Sequence, residues 1–410
     1  MINYFSLVRK FFNAKWVFEK PKKKKYLVYD SEHSGFLFNY IPKKDSAIYN
    51  IRWEEINFFI LYFVVVKYGL KNLRKNYKKV FFSYTDPKIA ITLMSSYVAF
   101  YELKNQFPNI KTIAIQNDLG NHHLLKILKK AKKNYFSCDY FLFYSNAFSK
   151  IYQKYISVRK KSLIIGSFRN NFYNFKSTNK KKIAFISKCN IGQSALNEII
   201  LLKCIIKYLR KNKLGKIDIC LKSNHISIIE YYKKNLDIEQ INIIPKKNSY
   251  SIVKDYENII FTDSTLGYEC LAKGKKIISF GLGSLKKNWC IKNGFQPINK
   301  FGYPEIFQDE GFCWSNSSNE QKINKLLKNI INMNQSTFNK KIKMIKKKIT
   351  FFDPNNKIFF FLLKYAKAHI PSKYLIAFCP YKLSILSKTS VSEVVLNLIF
   401  FFKQIFFNSI

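Results

Sequence analysis

Short apolar runs alternate with longer, mixed segments along the first half of the chain. Each run ends in a polar or turn residue, as in "YLVYD" from Tyr26 and "KTIAIQN" from Lys111. Short apolar runs between helix-length segments are typical of strands in a parallel sheet that is buried on both faces. We predict five such strands, which begin near Tyr26, Lys79, Lys111, Tyr140 and Ser162.

The same alternation returns in the second half of the chain. A polar, basic segment, "RNNFYNFKSTNKKK" from Arg169, separates the two halves, and a dense apolar helix is predicted from Ser194. From about Lys322 to Lys367 the pattern becomes helical. The predicted strands of this half begin near Lys182, Lys216, Ile241, Asn258 and Lys276.

Two successive units of this kind predict an α/β protein with two Rossmann-like, doubly wound domains facing a cleft, followed by a helical C-terminal tail. The length of 410 residues agrees with two domains. We place the N-terminal domain at 1–168, a linker at 169–181, the C-terminal domain at 182–350 and the tail at 351–410. In the tail, apolar residues at helical spacing from Ser392 predict a helix that packs back on a domain or touches a membrane.

The stretch "IIFTDSTLGYECLAKGKKIISF" from Ile259 carries the clearest candidate chemistry. If its first residues form a strand, Ser264 caps a helix that begins at Thr265, and the free amides and the helix dipole form an anion site. Glu269 shares a helix face with Thr265, so its carboxylate can accept hydrogen bonds from a ribose. Gly274 is predicted to end the helix. The alternative is an ordinary cap, a solvated glutamate and an ordinary terminal glycine.

The formal net charge of +46 suggests an anionic partner, but the lysines are spread over the whole chain together with much Asn, Ile, Phe and Tyr. A generally lysine-rich, solvated surface therefore remains the simpler explanation, and no nucleic-acid partner is expected. None of the eight cysteines has C-x-x-C spacing, so free thiols in a reducing cytoplasm are expected. The longest apolar run, "FFILYFVVV" from Phe58, is too short to span a bilayer and predicts a buried helix.

Several segments resemble known families. "TDSTLGYECLAKGKK" is similar to the nucleotide-sugar turn of glycosyltransferases with the two-domain GT-B fold. The chain also resembles the bacterial O-antigen and surface-carbohydrate biosynthesis proteins in "YLVYDSEHSG", "IAIQND", "IIGSFRNN", "IAFIS", "FTDSTLGYECLAKGKK" and "GFCWSN", with "DSTLGYE" the most specific match. One departure is Asp118, where the family pattern would have glycine.

The resemblance implies a glycosyltransferase that moves a sugar from a nucleotide-sugar donor to a glycan or lipid-linked acceptor in surface polysaccharide assembly. The nucleotide sugar is a substrate, and no separate cofactor is expected. The donor would contact the turn after the strand from Asn258 and polar residues at two other strand ends, where lysines can neutralise a diphosphate. The predicted donor-binding residues are Asp263, Ser264, Thr265, Leu266, Gly267, Glu269, Ser187, Lys188 and Lys222.

The loop after the first strand, "YDSEHSG", places Asp30, Glu32 and His33 together. In an inverting enzyme of this architecture, a base in this loop would deprotonate the acceptor hydroxyl, and Glu32 and His33 are the first candidates. The alternatives are that the trio caps a helix, or that the acid-x-acid pair Asp30 and Glu32 binds a metal.

Two further groups follow strand ends. Gln116, Asn117, Asp118, His122 and the adjacent His123 could line the acceptor side of the cleft, or serve as surface and capping residues. Gly166, Ser167 and Arg169 lie at the predicted interdomain crossing, where we expect a hinge and consider phosphate contact as the alternative.

Two rival functions remain open from the sequence. One is a nucleotide-sugar epimerase of the same fold, which needs no acceptor. The other is a non-catalytic basic protein that binds anionic lipid or nucleic acid. Under the main hypothesis the protein is cytoplasmic, with possible peripheral contact to an anionic inner leaflet.

Overall fold

The computed structural model of the chain describes residues 12–117, 119, 122–132, 134–173, 183–188, 193–221, 225–245, 249–262, 264–281, 300–306, 308–316 and 319–368, and the structural statements below concern these residues. Two sheets dominate the fold, one in each half of the chain, and nearly all their strand pairs are parallel. The prediction of two α/β units is therefore confirmed.

The first sheet has six strands, and all of its neighbouring strands are parallel. Their carboxyl ends therefore lie along one edge. In sheet order the strands are β3 (Ser46–Tyr49), β2 (Tyr26–Tyr29), β5 (Ile89–Thr92), β6 (Lys111–Ile115), β7 (Phe136–Phe143) and β8 (Ile156–Ile164). A separate parallel pair consists of β1 (Lys15–Val17) and β4 (Glu55–Asn57).

The helices between these strands lie mainly on one face of the first sheet. They are α1 (Phe58–Tyr68), α2 (Leu73–Thr85), α3 (Val98–Tyr101), α4 (Leu103–Gln106), α5 (His122–Lys130) and α6 (Asn146–Tyr152). The apolar run from Phe58 forms the buried helix that was predicted. The strand predicted from Lys79 is wrong, because that segment belongs to α2 and the strand is β5. A short apolar run cannot be assigned by periodicity alone. Here the helix α2 buries Tyr77 and Val80, which are three residues apart and so share one face.

The second sheet has seven strands, of which only the edge strand β14 runs antiparallel to its neighbour. In sheet order the strands are β11 (Ile241–Ile244), β10 (Ile217–Cys220), β9 (Ile183–Ile186), β12 (Asn258–Phe261), β13 (Lys276–Phe280), β15 (Trp314–Ser315) and β14 (Glu310–Gly311). The five strands predicted for this half are all present.

The second sheet packs against helices from its own half of the chain. These are α8 (Gln193–Lys211), α9 (Ile226–Asn235), α10 (Ser249–Val253), α11 (Thr265–Ala272), α12 (Glu320–Ile331) and α13 (Gln335–Ile349). Gly274 ends α11 as predicted. It adopts φ 85°, and the amides of Gly274 and Lys275 donate to the carbonyls of Leu271 and Cys270 in a Schellman motif.

The chain crosses between the units twice, and the crossings touch. The first crossing contains a short helix, α7 (Phe168–Phe172), and the second lies just before α14 (Lys357–Ala368). Gly166 forms an antiparallel bridge with Phe352, and a Cβ on Gly166 would collide with the carbonyl oxygen of Phe351. The start of the predicted linker is thus a buried helix, with Asn170 and Asn171 each 1% exposed.

Helix α14 returns to the first unit and covers the face of its sheet that α1–α6 leave open. Phe359, Leu362, Leu363 and Ala366 join a cluster with residues of β2, β5, β6 and β7. Lys111 Nζ also donates to the carbonyl of Ala366 at 2.7 Å. The tail helix predicted from Ser392 lies outside the described residues. In the described part of the chain, no helix has the length and apolar character needed to cross a bilayer.

Candidate active site

The loop after β2 holds a charged cluster arranged around Arg52. Its guanidinium donates from Nη2 to Asp30 Oδ1 and from Nη1 to Glu32 Oε2, each at 2.7 Å, and its Nε lies 2.8 Å from Glu54 Oε1. Asp30 Oδ1 also accepts from the Glu32 amide at 2.7 Å. The structure thus brings Asp30 and Glu32 together as predicted, and Arg52 occupies the place between their carboxylates.

The backbone of this loop, and of the segment that carries Arg52, is unusual. Asp30, His33 and Trp53 have φ values of 83°, 61° and 66°, in a region that non-glycine residues seldom occupy. Each such residue costs of order 1–3 kcal/mol, and such strain is concentrated at functional sites. His33 precedes the 3₁₀ helix Ser34–Asn39 but its side chain makes no capping hydrogen bond. Helix capping by His33, one of the alternatives, is therefore not what the structure shows.

Burial shifts the side chains of Asp30 and His33 in this loop away from their charged forms. It raises the pKa of Asp30, whose Oδ2 is buried and accepts no hydrogen bond from the described residues, while Arg52 acts in the opposite direction. It lowers the pKa of His33, and the Arg169 guanidinium lowers it further, although Glu32 opposes both. The lowered pKa favours the neutral imidazole, which is the form that a general base needs.

The possibility of a metal at Asp30 and Glu32 gains no support from the geometry. Arg52 supplies the positive charge between these carboxylates, so a cation would have to displace a guanidinium that makes two short hydrogen bonds. Among the described residues, no group of three or more His, Cys, Asp and Glu side chains is placed to hold a metal ion.

The first turn of α11 lies at the carboxyl end of β12, where the sequence predicts the donor phosphates. Ser264 occupies the N-cap position, and its side chain makes no capping hydrogen bond. Ser264, Thr265 and Leu266 are partly exposed, whereas Gly267 is buried. A Cβ on Gly267 would collide with the ring of Phe261, so this glycine lets α11 pack closely on β12. Asp263 lies outside the described residues.

Glu269 points from α11 into the junction with the first unit. Its carboxylate accepts a hydrogen bond from Ser167 Oγ and another from the Tyr250 hydroxyl, and its backbone carbonyl accepts from Asn170 Nδ2 at 3.1 Å. Burial raises the pKa of Glu269, and the nearby Arg169 guanidinium opposes that shift. The ribose-binding role of Glu269 stays a prediction, and in this structure its carboxylate binds protein hydroxyls.

Arg169, on α7, connects the two halves of the candidate site. Its Nη1 lies 3.4 Å from His33 Nε2, and its charge acts on the carboxyl group of Glu269. The base candidate of the first unit and the ribose candidate of the second are therefore both close enough to one guanidinium for its charge to affect their pKa values. The crossing segment was expected mainly as a hinge, and its polar contacts were the feature that sequence reasoning missed.

The predicted acceptor-side residues are only partly described. Gln116 is fully buried, and its Oε1 accepts from the amide of Tyr144 at 3.1 Å, which joins the ends of β6 and β7. Asn117 Oδ1 is buried and accepts no hydrogen bond from the described residues. Asp118 lies outside the described residues, as do the side chains of His122 and His123, which begin α5.

Ser187 and Lys188, at the end of β9, belong to a network around a buried carboxylate, that of Glu198 on α8. Glu198 accepts hydrogen bonds from Ser187 Oγ, the Tyr232 hydroxyl and the Lys188 amide, at 3.0, 2.6 and 2.8 Å. These contacts hold the strand end against two helices of the same unit. Their predicted contact with a donor is untested, and Lys222 lies outside the described residues.

Comparison with known proteins gives one family match. Residues 192–367 match the family described as "putative O-antigen biosynthesis protein". The resemblance inferred from the sequence is confirmed for that segment, which includes α11 and Glu269. A search of curated proteins found no match.

The chain also matches solved structures, among them a polymerase, an epimerase and a transferase. The wall teichoic acid polymerase TagF is 12% identical with a TM-score of 0.48, over 85% of this chain and 91% of that one. UDP-GlcNAc 2-epimerase from Methanocaldococcus jannaschii is 11% identical with a TM-score of 0.48, over 83% and 99%. The pneumococcal O-GlcNAc transferase GtfA, in complex with UDP and GlcNAc, is 12% identical with a TM-score of 0.41, over 68% and 56%. This chain thus spans little more than half the length of that transferase.

Proposed function

We propose that the protein is a glycosyltransferase that transfers a sugar from a nucleotide-sugar donor to a glycan or lipid-linked acceptor in surface polysaccharide assembly. The observation that carries the proposal is the meeting of the two strand-end regions at the junction. There, Glu269 on α11 of the second unit accepts a hydrogen bond from Ser167, and Arg169, two residues further along the crossing, contacts His33 in the strained, charged loop of the first unit.

In the proposed reaction, the first turn of α11 binds the donor diphosphate through its amides, and Glu269 binds the ribose. The acceptor oxygen attacks the anomeric carbon, its proton passes to His33 Nε2, and the bond from the anomeric carbon to the phosphate oxygen breaks. The nucleoside diphosphate leaves with the electron pair. Glu32, whose Oε1 lies 3.7 Å from His33 Nε2, stabilises the imidazolium that forms.

Asp30 and Arg52 position this loop rather than touch the substrates. Asp30 is buried and bonded to the Glu32 amide, while Arg52 fixes the Glu32 carboxylate. Because Arg52 already supplies the positive charge there, we propose that the reaction needs no metal and no separate cofactor. We expect full turnover in the presence of EDTA.

We further propose peripheral contact with an anionic membrane, where a lipid-linked acceptor would be found. Helix α14 buries one face on the first sheet but exposes Phe360, Phe361 and Tyr365 on the other, and Lys357 and Lys364 flank these aromatic side chains. Exposed aromatics next to lysines are suited to an anionic interface. Sedimentation with vesicles of neutral lipid alone and with added phosphatidylglycerol tests this contact, with Phe361→Glu as the variant expected to weaken it.

The function is tested by incubating the protein with a panel of nucleotide sugars. Thermal shift first identifies the donor that stabilises the folded protein. The donor is then supplied with and without a glycan or lipid-linked acceptor, and the products are separated. Acceptor-dependent release of nucleoside diphosphate is expected, with transfer lost in Glu269→Ala and in His33→Gln. Conversion of the sugar without any acceptor would instead identify an epimerase, and the absence of any nucleotide binding would overturn the proposal.

A further inference from the structure

The two arginines near His33, Arg52 and Arg169, differ in the groups that their guanidinium ions contact. Arg52 contacts three carboxylates, those of Asp30, Glu32 and Glu54. Arg169 has no carboxylate within ion-pair distance among the described residues, and its buried Nε has no hydrogen-bond partner there. Within the described part of the chain, its one polar contact is the 3.4 Å approach of Nη1 to His33 Nε2. A half-buried guanidinium whose partner is a neutral ring has most of its hydrogen-bonding capacity unused.

The surroundings of Arg169 favour an anion. The guanidinium is close enough to Glu269 for its charge to act on that carboxyl group, and Glu269 is one helical turn from the partly exposed first turn of α11. A diphosphate bound to those amides would lie within reach of Arg169, because four helical residues span only about 6 Å. Arginine binds phosphate oxygens in a bidentate manner that the unused Nε and Nη atoms permit.

The contact with His33 gives this arrangement a second consequence. Arginine can only donate, so in the present structure His33 Nε2 is the acceptor and its lone pair is directed at Arg169. While that contact persists, Nε2 cannot take a proton from an acceptor hydroxyl. An anion that draws the guanidinium away would free the lone pair.

We propose that Arg169 binds the phosphates of the donor, and that this contact replaces its hydrogen bond to His33. The inference rests on the proposed function in one respect, that the donor is a nucleotide sugar. It adds a residue of the crossing segment to the site and makes the readiness of His33 depend on the donor being bound.

Inorganic pyrophosphate is the first probe, because it tests the anion site without any sugar or base. Isothermal titration is carried out on the full chain, its Arg169→Gln and Arg169→Lys variants, and Arg159→Gln. Arg159 is exposed on β8, so its variant loses the same charge away from the junction. Arg169→Gln should bind pyrophosphate about ten- to a hundredfold more weakly, as expected for losing a charge-assisted contact, with Arg169→Lys between it and wild type and Arg159→Gln unchanged.

The second readout is the titration of His33, followed by NMR of the imidazole protons and assigned with His33→Gln. The charged groups that face His33 are Glu32, Arg52 and Arg169. Adding pyrophosphate should raise the pKa of His33, because negative charge replaces contact with a cation. Arg169→Gln should raise it without any anion. The response to pyrophosphate is the decisive one, because loss of the Arg169 charge alone already raises the pKa of His33. A wild-type His33 titration that does not move when pyrophosphate binds would contradict the proposed exchange of contacts.

The outcomes separate this inference from the proposed function. If Arg169→Gln folds and binds pyrophosphate and nucleotide sugar as wild type does, the Arg169 assignment is wrong while the transferase can stand. If pyrophosphate binding depends on Arg169 but no nucleotide sugar is turned over, the anion site stands and the transferase does not. If Arg169→Gln fails to fold, pyrophosphate binding by Arg169→Lys and the titration of His33 in the wild type test the inference instead. A wild-type protein that does not bind pyrophosphate overturns the inference.

Discussion

The two α/β units complete their cores in different ways. The second sheet packs against helices from its own half of the chain, and its buried side chains form one continuous cluster with them. The first sheet packs one face against α1–α6, but its other face against α14, which follows the second unit. The first unit therefore cannot be equated with residues 1–168, because a layer of its core comes from the predicted tail.

The largest expected effect tests that dependence. Phe359 on α14 is fully buried against Tyr40 and Phe168, whereas Phe361, two residues later, is 64% exposed. We expect Phe359→Ala to lower the free energy of unfolding by about 3–5 kcal/mol through loss of burial and formation of a cavity. The matched control Phe361→Ala should change it by less than about 0.5 kcal/mol. Urea unfolding followed by circular dichroism measures both, and equal effects would refute the role of α14 as a core layer.

The next effect concerns the point where the crossings touch. Gly166→Ala combines a positive φ with a collision against the Phe351 carbonyl, so we expect a loss of about 2–4 kcal/mol. Gly69 also has a positive φ, 65°, but open space around its Cα. Gly69→Ala should therefore cost only the backbone strain, about 1–2 kcal/mol. If thermal unfolding shows the two variants to be equally stable, the nearby Phe351 carbonyl does not exclude a larger side chain at position 166.

A third comparison uses the two buried glutamates of the second unit, Glu198 and Glu269, which are each 2% exposed. Glu198 has partners within its own unit, so Glu198→Ala should destabilise the fold by about 1–3 kcal/mol while the folded fraction retains donor affinity. Glu269→Ala should weaken donor affinity about tenfold or more. Titration calorimetry at a temperature where both variants are folded distinguishes them, and a donor that binds both variants alike would contradict the assignment of Glu269.

The smallest effect is a dependence of stability on pH. The pKa of His33 is lowered in the folded protein, so the unfolded chain binds more protons as the pH falls below the ordinary histidine value of about 6.5. Stability should therefore be lost from about pH 7 downward until the folded pKa is passed. Because the side chain is one-third exposed, we expect less than about 1 kcal/mol. The difference between wild type and His33→Gln in urea unfolding at pH 7 and pH 5 measures it, and a parallel response would show that His33 does not contribute.

The sequence predicted those features that depend on neighbouring residues. The apolar runs predicted the second sheet and the helix from Phe58, and the start of α11 after Ser264 and its end at Gly274 follow from local backbone chemistry, although the Ser264 side chain makes no capping hydrogen bond. The predicted strand from Lys79 failed because a short apolar run fits a helix equally well, and the true strand, β5, has only four residues.

The contacts that organise the candidate site join residues far apart in the chain. Ser167 and Glu269 are separated by 102 positions, and His33 and Arg169 by 136. Local pattern carries no information on such pairs. One signal was present: "GSFRNN" contains Ser, Arg and two Asn across the predicted boundary between the N-terminal domain and the linker, and three of these four side chains are buried and hydrogen-bonded. A polar motif in the connection between two sheets is therefore a candidate site, as a strand end is.

The adjacency of Gly166 and Phe352 has a topological consequence. The chain leaves the first unit and re-enters it at neighbouring points, and Asn171 Nδ2 on α7, in the outgoing connection, donates to Asn356 Oδ1 at 2.9 Å. In this sense the second unit is an insertion into the first, with entrance and exit side by side. Because its two connections lie side by side, the second unit could be replaced during evolution without interrupting the fold of the first unit. Two adjacent connections would also permit rotation of the second unit about one axis and restrict rotation about the others.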